Sequence, residues 1–293
     1  MTASVRPRRS ALYMPGSNAR ALDKARTLAA DMLIFDLEDA VAPDAKATAR
    51  DQVAATVRQG GYGARELIVR VNGPQTPWGL ADIAAVATLG ADGVLLPKVE
   101  SAAAVHHAEA ALIAAGAPAG LALWCMMETP LGMLHAEAIA AASPRVAGLV
   151  MGTSDLAKDL HAAHTRDRLP MITALGLCLL AARAYGLAIL DGVHLDLADD
   201  DGFAASCRQG RELGFDGKTL IHPKTIVVAN ETFAPSPDEV AWARRVIAAH
   251  ADAVAAGKGV VLLDGALIEN LHVEAARRMV ALADLVTARA AGP

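Results

Sequence analysis

Residues 121–129 read LALWCMMET, an almost continuous apolar run that ends at the carboxylate of Glu128. Seven more short apolar runs occur along the chain, at residues 11–14, 32–39, 67–72, 93–99, 146–152, 187–193 and 217–222. Runs that are apolar at successive rather than alternate positions are typical of parallel strands buried on both faces. The sequence therefore predicts eight parallel strands.

Alanine-rich segments with helical spacing separate these strands, for example residues 18–30, 43–59, 101–115 and 169–185. Eight repeats of a strand followed by a helix predict an α/β protein, specifically a (β/α)8 TIM barrel. An open doubly wound sheet is the main alternative, and it usually carries a GxGxxG turn after its first strand. Residues 14–18 read MPGSN instead, which favours the barrel.

The pattern changes after residue 232. Residues 233–237 read FAPSP, a turn-rich linker, and a helix is predicted from residue 237 to about residue 255. Residues 257–270 are predicted to form a short extended element, and a last helix follows through residue 290. We expect two domains: the catalytic barrel at residues 1–232 and a C-terminal helical extension at residues 233–293.

The composition of the 293-residue chain excludes several classes of protein. Its 54% hydrophobic content is sufficient for a large core, and its net charge of -5 gives no positive field for nucleic acid. Three widely spaced cysteines, Cys125, Cys178 and Cys207, fit neither a disulfide framework nor a zinc motif, and we expect them to fill the core. No apolar stretch is long enough to span a membrane. Cytoplasmic residence is therefore expected.

Two carboxylates follow neighbouring strands at their carboxyl ends. Glu128 ends the fifth predicted strand, and Asp155 lies three residues beyond the sixth. In a (β/α)8 barrel these ends meet at the rim that carries the active site. Mg2+ takes one or two protein carboxylates and completes its shell with water and substrate oxygens, so this pair predicts a Mg2+ site, with Mn2+ as the alternative cation. Either acid can instead serve as a cap or first-turn residue of a helix.

Arg70 lies inside the apolar run at residues 67–72, where a charge must be paired or must point into the barrel mouth. Its guanidinium can hold a carboxylate or a developing enolate with two parallel hydrogen bonds. A structural salt bridge to the acids after the second strand is the alternative, and both roles can coexist. We expect Asp36, Glu38, Asp39 and Lys98 to support Arg70 and the metal-bound waters, although Asp39 also suits a helix cap.

His222 closes the eighth predicted strand and precedes Pro223, which restricts its backbone. A turn residue and a ligand contact are both compatible with this position.

Several motifs in order resemble one known family. They are RSALYMPG at residues 9–16, DLEDAV at 36–41, VRVN at 69–72, PKVE at 97–100, ETP at 128–130, SDL at 154–156, and GK with IHP at 217–218 and 221–223. Together they resemble the citrate lyase β-subunit-like proteins of the HpcH/HpaI aldolase superfamily, which include malyl-CoA, citramalyl-CoA and β-methylmalyl-CoA lyases. The resemblance spans nearly the whole chain.

The resemblance implies a Mg2+-dependent carbon-carbon lyase. Such an enzyme reversibly cleaves a carboxylated 3-hydroxyacyl-CoA, such as malyl-, citramalyl-, β-methylmalyl- or citryl-CoA, to acetyl-CoA or propionyl-CoA and a 2-oxo acid. One alternative is a malyl-CoA-type thioesterase that uses the same metal and Arg70 for attack by water. Another is a citrate lyase β subunit that acts within a complex, or a subunit that keeps the barrel without catalysis.

The resemblance also implies roles for individual residues. Glu128 and Asp155 would bind Mg2+, and Arg70 would hold the thioester oxygen as it becomes an enolate. Contacts to substrate or CoA are implied for Tyr13, Met14, Lys24, Arg70, Glu128, Ser154, Asp155, Ile221 and His222. Asp264 would be the acid/base, carried on the C-terminal lid of an adjacent subunit in a homotrimer or hexamer. A turn aspartate before Gly265 is its alternative interpretation.

Overall fold

The computed structural model describes residues 6–291, and its first compact unit, Arg8–Glu231, contains a closed barrel of parallel strands. The strands are hydrogen-bonded in sequence order, and β1 pairs with β8 to close the barrel. This arrangement confirms the (β/α)8 fold. The barrel strands are β1 (Ser10–Pro15), β2 (Met32–Asp36), β3 (Glu66–Arg70), β4 (Gly93–Leu96), β5 (Ala122–Met127), β6 (Val146–Met151), β7 (Ala188–Asp191) and β8 (Gly217–Leu220).

Helices follow the strands around the barrel, and short 3-10 turns join some of them. Within the described residues the helices are α1 (Ala19–Lys24), α2 (Lys46–Gln59), α3 (Gly79–Ala87), α4 (Ala102–Ala114), α5 (Pro130–Leu134), α6 (Ala136–Ala140), α7 (Thr153–Asp159), α8 (Ile172–Ala184), α9 (Asp200–Leu213), α10 (Ile226–Phe233), α11 (Pro237–Ala255) and α12 (Asn270–Ala291). The 3-10 turns are Ala25–Thr27, Pro43–Ala45, Leu169–Met171 and Pro223–Thr225.

The barrel interior is filled by a cluster of apolar side chains from alternate strand positions. Ile34, Ile68 and Trp124 belong to this buried cluster. Gly148 makes room for the Trp124 ring, since a Cβ at position 148 would lie 2.2 Å from a ring carbon. Because side chains alternate along a strand, the next inward positions after these residues come at the carboxyl ends of the same strands. That alternation carries polar side chains to the barrel mouth.

Several predicted strands are shorter in the structure than in the sequence analysis. The prediction of strand through residue 39 is wrong, because β2 ends at Asp36. The Asp36 carboxylate accepts hydrogen bonds from the backbone N–H groups of Glu38 (2.9 Å) and Ala40 (3.0 Å), which turns the chain away from the sheet. β5 likewise ends at Met127, so Glu128 lies just beyond the strand instead of within it.

The second compact unit combines residues 6–7 with the segment from Thr232 onward, and that segment contains α11, α12 and a hairpin between them. A capping box of Ser236 and Glu239 starts α11, which ends at residue 255 as predicted. The single extended element predicted at residues 257–270 is instead two antiparallel strands, β9 (Val261–Leu263) and β10 (Ala266–Ile268). Asp264 and Gly265 form the connecting turn with φ of 49° and 82°, the left-handed backbone that two-residue hairpin turns require.

Two further expectations concern the whole described chain. Among residues 6–291, no helix combines the length and apolar character needed to cross a bilayer. The three cysteines are free and buried, as expected for residues that fill the core.

Candidate active site

Arg70 is the central cation of the barrel mouth. It is the last residue of β3, on the same face as Ile68, and its side chain is only 8% exposed. Its Nε and Nη2 atoms donate to the two carboxylate oxygens of Asp36 at 2.7 and 2.6 Å. This bidentate pair fixes the plane of the guanidinium. The Tyr13 ring lies against it, 4.9 Å from the guanidinium carbon, and holds it from the side of β1.

Two more carboxylates share the Nη1 atom of Arg70. Glu38 Oε2 lies 2.9 Å from Nη1, and Asp39 Oδ2 lies 3.2 Å from it. Burial raises the pKa of Glu38 against the pull of Arg70 and Lys98, whereas Arg70 holds the pKa of the more exposed Asp39 below its usual value despite partial burial. The predicted support of Arg70 by these acids is therefore present. The alternative of a structural salt bridge is present as well, since Asp36 occupies one edge of the guanidinium.

Glu128 is buried at the end of β5, with 2% of its surface exposed. Its Oε1 accepts the backbone N–H of Lys98 at 2.8 Å. Lys98 has a φ of 48°, so this hydrogen bond comes from left-handed backbone at the end of β4. Burial raises the pKa of Glu128 from 4.5 to about 7, and the Lys98 N–H opposes this shift. Because the Lys98 N–H offsets only part of the burial penalty, the Glu128 carboxylate needs a bound cation to remain ionised at neutral pH.

Gly152 brings Glu128 next to the start of α7. A Cβ at position 152 would lie 2.3 Å from the Glu128 Cβ and 2.5 Å from its Oε2, so only glycine permits this approach. Asp155 lies in the first turn of α7, three residues after Gly152. The Lys98 ammonium connects the network, at 3.5 Å from Asp155 Oδ2 and 3.1 Å from Glu38 Oε1. The structure thus gathers Glu128, Asp155 and Glu38 around Lys98.

The donor set suits Mg2+. Within residues 6–291 no group of three or more His, Cys, Asp and Glu side chains has the arrangement of a complete protein metal site. Mg2+ does not need one, because one or two carboxylates plus water and substrate oxygens satisfy it. The buried Glu128 and the partly exposed Asp155 offer hard oxygen ligands of this kind. Ser154 adds a buried Oγ without a hydrogen-bond partner, which is expected where a polar ligand is to be bound.

The other residues predicted to contact CoA have mixed environments. Met14 is buried in the core, whereas Lys24 is exposed at the end of α1. Ile221 is exposed after β8, next to His222. His222 caps the following 3-10 turn, since its Nδ1 accepts the Lys224 N–H at 3.1 Å, so the turn role is present. The CoA contacts of these residues stay predictions.

Asp264 belongs to the second compact unit, at the tip of the β9–β10 hairpin. Its carboxylate is exposed and pairs with Arg245 at 2.7 Å, and Arg245 also lies over the Trp242 ring. The turn position that the sequence left as an alternative is therefore real. A turn tip can still present a catalytic acid, so its role stays a prediction.

Sequence reasoning missed Lys46, which lies at the start of α2 and is buried. Its ammonium donates to the carbonyl oxygens of Leu37 (2.9 Å) and Glu38 (2.7 Å) and lies over the Trp78 ring. It therefore fixes the loop that carries the acids of Arg70. No local pattern marks Lys46, because its partners are backbone oxygens brought to it by the fold.

Comparison with known proteins gives the family. The model of the HpcH/HpaI aldolase/citrate lyase family matches residues 9–223, which include Arg70, Glu128 and Asp155. The chain belongs to the HpcH/HpaI aldolase/citrate lyase family. The match ends within the barrel unit.

Relatives across the family differ in the reaction they are named for. A (3S)-malyl-CoA thioesterase of Cereibacter sphaeroides (strain KD131 / KCTC 12085) is 52% identical over 98% of this chain and 99% of its own length. The citrate lyase subunit beta of Escherichia coli (strain K12) is 37% identical over 96% of this chain and 94% of its own. The expectation of a CitE-like CoA-ester enzyme is confirmed. Carbon-carbon cleavage as the main reaction is not confirmed, because the 52% relative is named a thioesterase.

A solved structure supports the same assignment. The CitE protein of Mycobacterium tuberculosis in complex with magnesium, acetoacetate and coenzyme A superposes with a TM-score of 0.77 and is 31% identical. The alignment covers 96% of this chain and 99% of that one. The similarity to this structure therefore extends into the C-terminal segment of the chain, beyond the residues that the family model matches.

Proposed function

We propose that this protein is a Mg2+-dependent hydrolase of a carboxylated 3-hydroxyacyl-CoA thioester of the (3S)-malyl-CoA class. The observation that carries the proposal is that the buried Glu128 and the partly exposed Asp155 both contact Lys98, with Arg70 anchored by Asp36 in the same mouth. The thioesterase relatives, at 52–53% identity over nearly the whole chain, favour hydrolysis of this thioester.

Arg70 supplies positive charge at the thioester oxygen. Hydrolysis places negative charge on that oxygen when water attacks the carbonyl carbon, and a fixed, desolvated cation stabilises it. Asp36 holds Arg70 in position before substrate arrives, so little reorganisation is required. Asp39 is the most exposed of the acids on Arg70, at 60%, and its departure frees an Nη1 proton for the substrate.

Glu128 and Asp155 would hold the metal, with Mn2+ as a second cation able to use the same oxygens. When bound, Mg2+ supplies Lewis-acid polarisation of substrate oxygens and orients the carboxylated end of the acyl group. Lys98 keeps Glu128 oriented through its backbone N–H and neutralises Asp155 through its ammonium. Ser154 offers its free hydroxyl to the substrate at the same rim.

Carbon-carbon cleavage of the same thioester is the second candidate. Citrate lyase β subunits share 36–37% of the sequence, and the CitE structure contains acetoacetate and CoA. This reaction needs the same stabilisation of charge on the thioester oxygen, now as an enolate, and yields acetyl-CoA or propionyl-CoA and a 2-oxo acid. Arg70 serves both reactions. The two differ in whether water attacks the carbonyl or the hydroxyl group loses its proton.

The proposal includes a homo-oligomer, a trimer or hexamer, in which Asp264 of one subunit acts as acid/base at the barrel of another. Asp264 is exposed at a hairpin tip, and its ion pair with the exposed Arg245 is a surface contact of a kind usually worth less than about 1 kcal/mol. Breaking the ion pair to release the Asp264 carboxylate therefore costs little free energy. Leu262 and Leu267 flank the tip and are 70% and 52% exposed, as expected for a segment that contacts another protein surface.

The test is a product analysis. The protein is incubated with (3S)-malyl-CoA and Mg2+, and the products are identified by mass spectrometry with and without excess EDTA. Free CoA with intact malate supports hydrolysis, and acetyl-CoA with glyoxylate supports carbon-carbon cleavage. Neither product, or equal activity in EDTA, contradicts the proposal.

A further inference from the structure

One cavity borders the Arg70 network on the side of β2, β3 and β4. Its volume is about 350 Å3, and it is lined by Glu38, Asp39, Lys46, Asn72, Trp78 and Lys98 among others. Polar and apolar residues both line its walls, and it is far larger than the space that one water molecule needs. The cavity therefore gives water a route to the Arg70 side of the barrel mouth.

Glu38 forms part of the wall between this cavity and Arg70. Its side chain is 11% exposed, with Oε2 at 2.9 Å from Arg70 Nη1 and Oε1 at 3.1 Å from Lys98 Nζ. Lys46 fixes the same residue from behind, through the Glu38 carbonyl. The Glu38 carboxylate is thus held beside the guanidinium proposed to receive the thioester oxygen, and Glu38 also lines the cavity.

The remaining acids of the barrel mouth are committed to other tasks. Asp36 uses both oxygens on Arg70 and on backbone N–H groups, and Glu128 and Asp155 belong to the proposed metal site. Asp39 is 60% exposed, and Arg70 lowers its pKa, which makes it a weak base. Glu38 combines a fixed position with a pKa that burial raises above its usual value, which makes it a stronger base than Asp39.

We infer that Glu38 is the general base that activates a water molecule from this cavity for attack on the thioester carbonyl; this inference rests on the proposed hydrolysis. The water oxygen bonds to the carbonyl carbon while its proton passes to the Glu38 carboxylate. The carbonyl π electrons move to the oxygen held by Arg70. The oxyanion then collapses, the carbon-sulfur bond breaks, and the CoA thiolate takes the proton from Glu38. The products are free CoA and the carboxylic acid.

This assignment separates the two reactions of the site. Glu38→Gln removes the base but keeps a side chain of the same size between Arg70 and Lys98. Hydrolysis should fall about 100-fold or more, the usual contribution of general-base catalysis. Carbon-carbon cleavage does not use this water and should change far less, so the ratio of malate to glyoxylate formed should collapse. Asp39→Asn is the matched control: Asp39 leaves Arg70 when substrate binds, so its substitution should affect both reactions alike and leave the ratio of malate to glyoxylate unchanged.

The experiment measures both product pairs for wild type, Glu38→Gln and Asp39→Asn, with Mg2+ binding followed by calorimetry to verify the site. Glu38→Asp serves as a second variant, because it keeps the charge but withdraws the carboxylate; it should retain Mg2+ binding and hydrolyse at least about 10-fold slower. A Glu38→Gln enzyme that hydrolyses within about threefold of wild type overturns the inference, as does a parallel loss of both reactions with Mg2+ binding intact. A wild-type enzyme that forms no free CoA and malate instead overturns the proposed function itself.

Discussion

The unusual ionisation of Glu128 predicts that this residue destabilises the metal-free protein at neutral and alkaline pH. Its pKa is raised on folding from 4.5 to about 7, so the folded chain binds more protons than the unfolded chain between these values. Stability must therefore fall as the pH rises through this interval. At 1.36 kcal/mol per pH unit, this rise in the pKa of Glu128 corresponds to a cost of about 3 kcal/mol at pH 8. Glu128 is 2% exposed, so solvent screening reduces this figure little.

The substitution Glu128→Gln removes the titrating group but keeps a carbonyl oxygen for the Lys98 N–H. In EDTA the variant should be about 3 kcal/mol more stable than wild type at pH 8, and the difference should vanish near pH 4.5. Mg2+ should stabilise the wild type by about 2.7 kcal/mol at a concentration of 100 times Kd and leave the variant unchanged. The assay is urea denaturation followed by tryptophan fluorescence.

Glu212→Gln, the same chemical change at an exposed position of α9, is the control for denaturation and should show no such pH-dependent gain. A Glu128→Gln protein less stable than wild type at pH 8 refutes the reasoning. Equal stabilisation of both proteins by Mg2+ refutes the metal assignment, even where the pH dependence is as expected.

Three other predictions concern the same site. The Arg70→Lys enzyme should keep its Mg2+ affinity in calorimetry but lose about 100-fold or more in kcat. An ammonium cannot keep the bidentate pair with Asp36 and also face the thioester oxygen. Near-normal turnover would count against the proposed role of Arg70. Gly152→Ala should lower the free energy of unfolding by about 1–3 kcal/mol in a denaturant titration and should weaken Mg2+ binding, because the added methyl group would displace Glu128. An unaltered Mg2+ binding isotherm would contradict this prediction. The Arg70→Lys and Asp264→Asn proteins should each be impaired alone. If Asp264 acts at the barrel of another subunit, mixing and reassembling the two proteins should restore activity. Activity no greater than the sum of the two separate proteins would show that Asp264 acts within its own chain.

Much of the barrel and its mouth follows from the sequence because two physical constraints act strongly there. Apolar runs without alternation require strands covered on both faces, and this predicted all eight barrel strands. A charge within such a run must find partners, which predicted that Arg70 would meet the acids after the second strand. Strand ends were less predictable, since the hydrogen bonds that Asp36 accepts end β2 early.

Other features depend on contacts that no local pattern records. The left-handed backbone of Lys98 and the carbonyl partners of Lys46 arise only when separate loops meet at the rim. The hairpin around Asp264 did have a local signal, because Asp-Gly between apolar residues is typical of a two-residue turn. Interpreting residues 257–270 as one extended element overlooked that signal.

The most direct measurement of the central claim is a crystal structure of the protein soaked with Mn2+, which substitutes for Mg2+ and has a strong anomalous signal. We expect one anomalous peak within bonding distance of both the Glu128 and Asp155 carboxylates, on the side of the barrel mouth that Arg70 faces. Carboxylates that point away from each other, with no peak between them at saturating Mn2+, would contradict it.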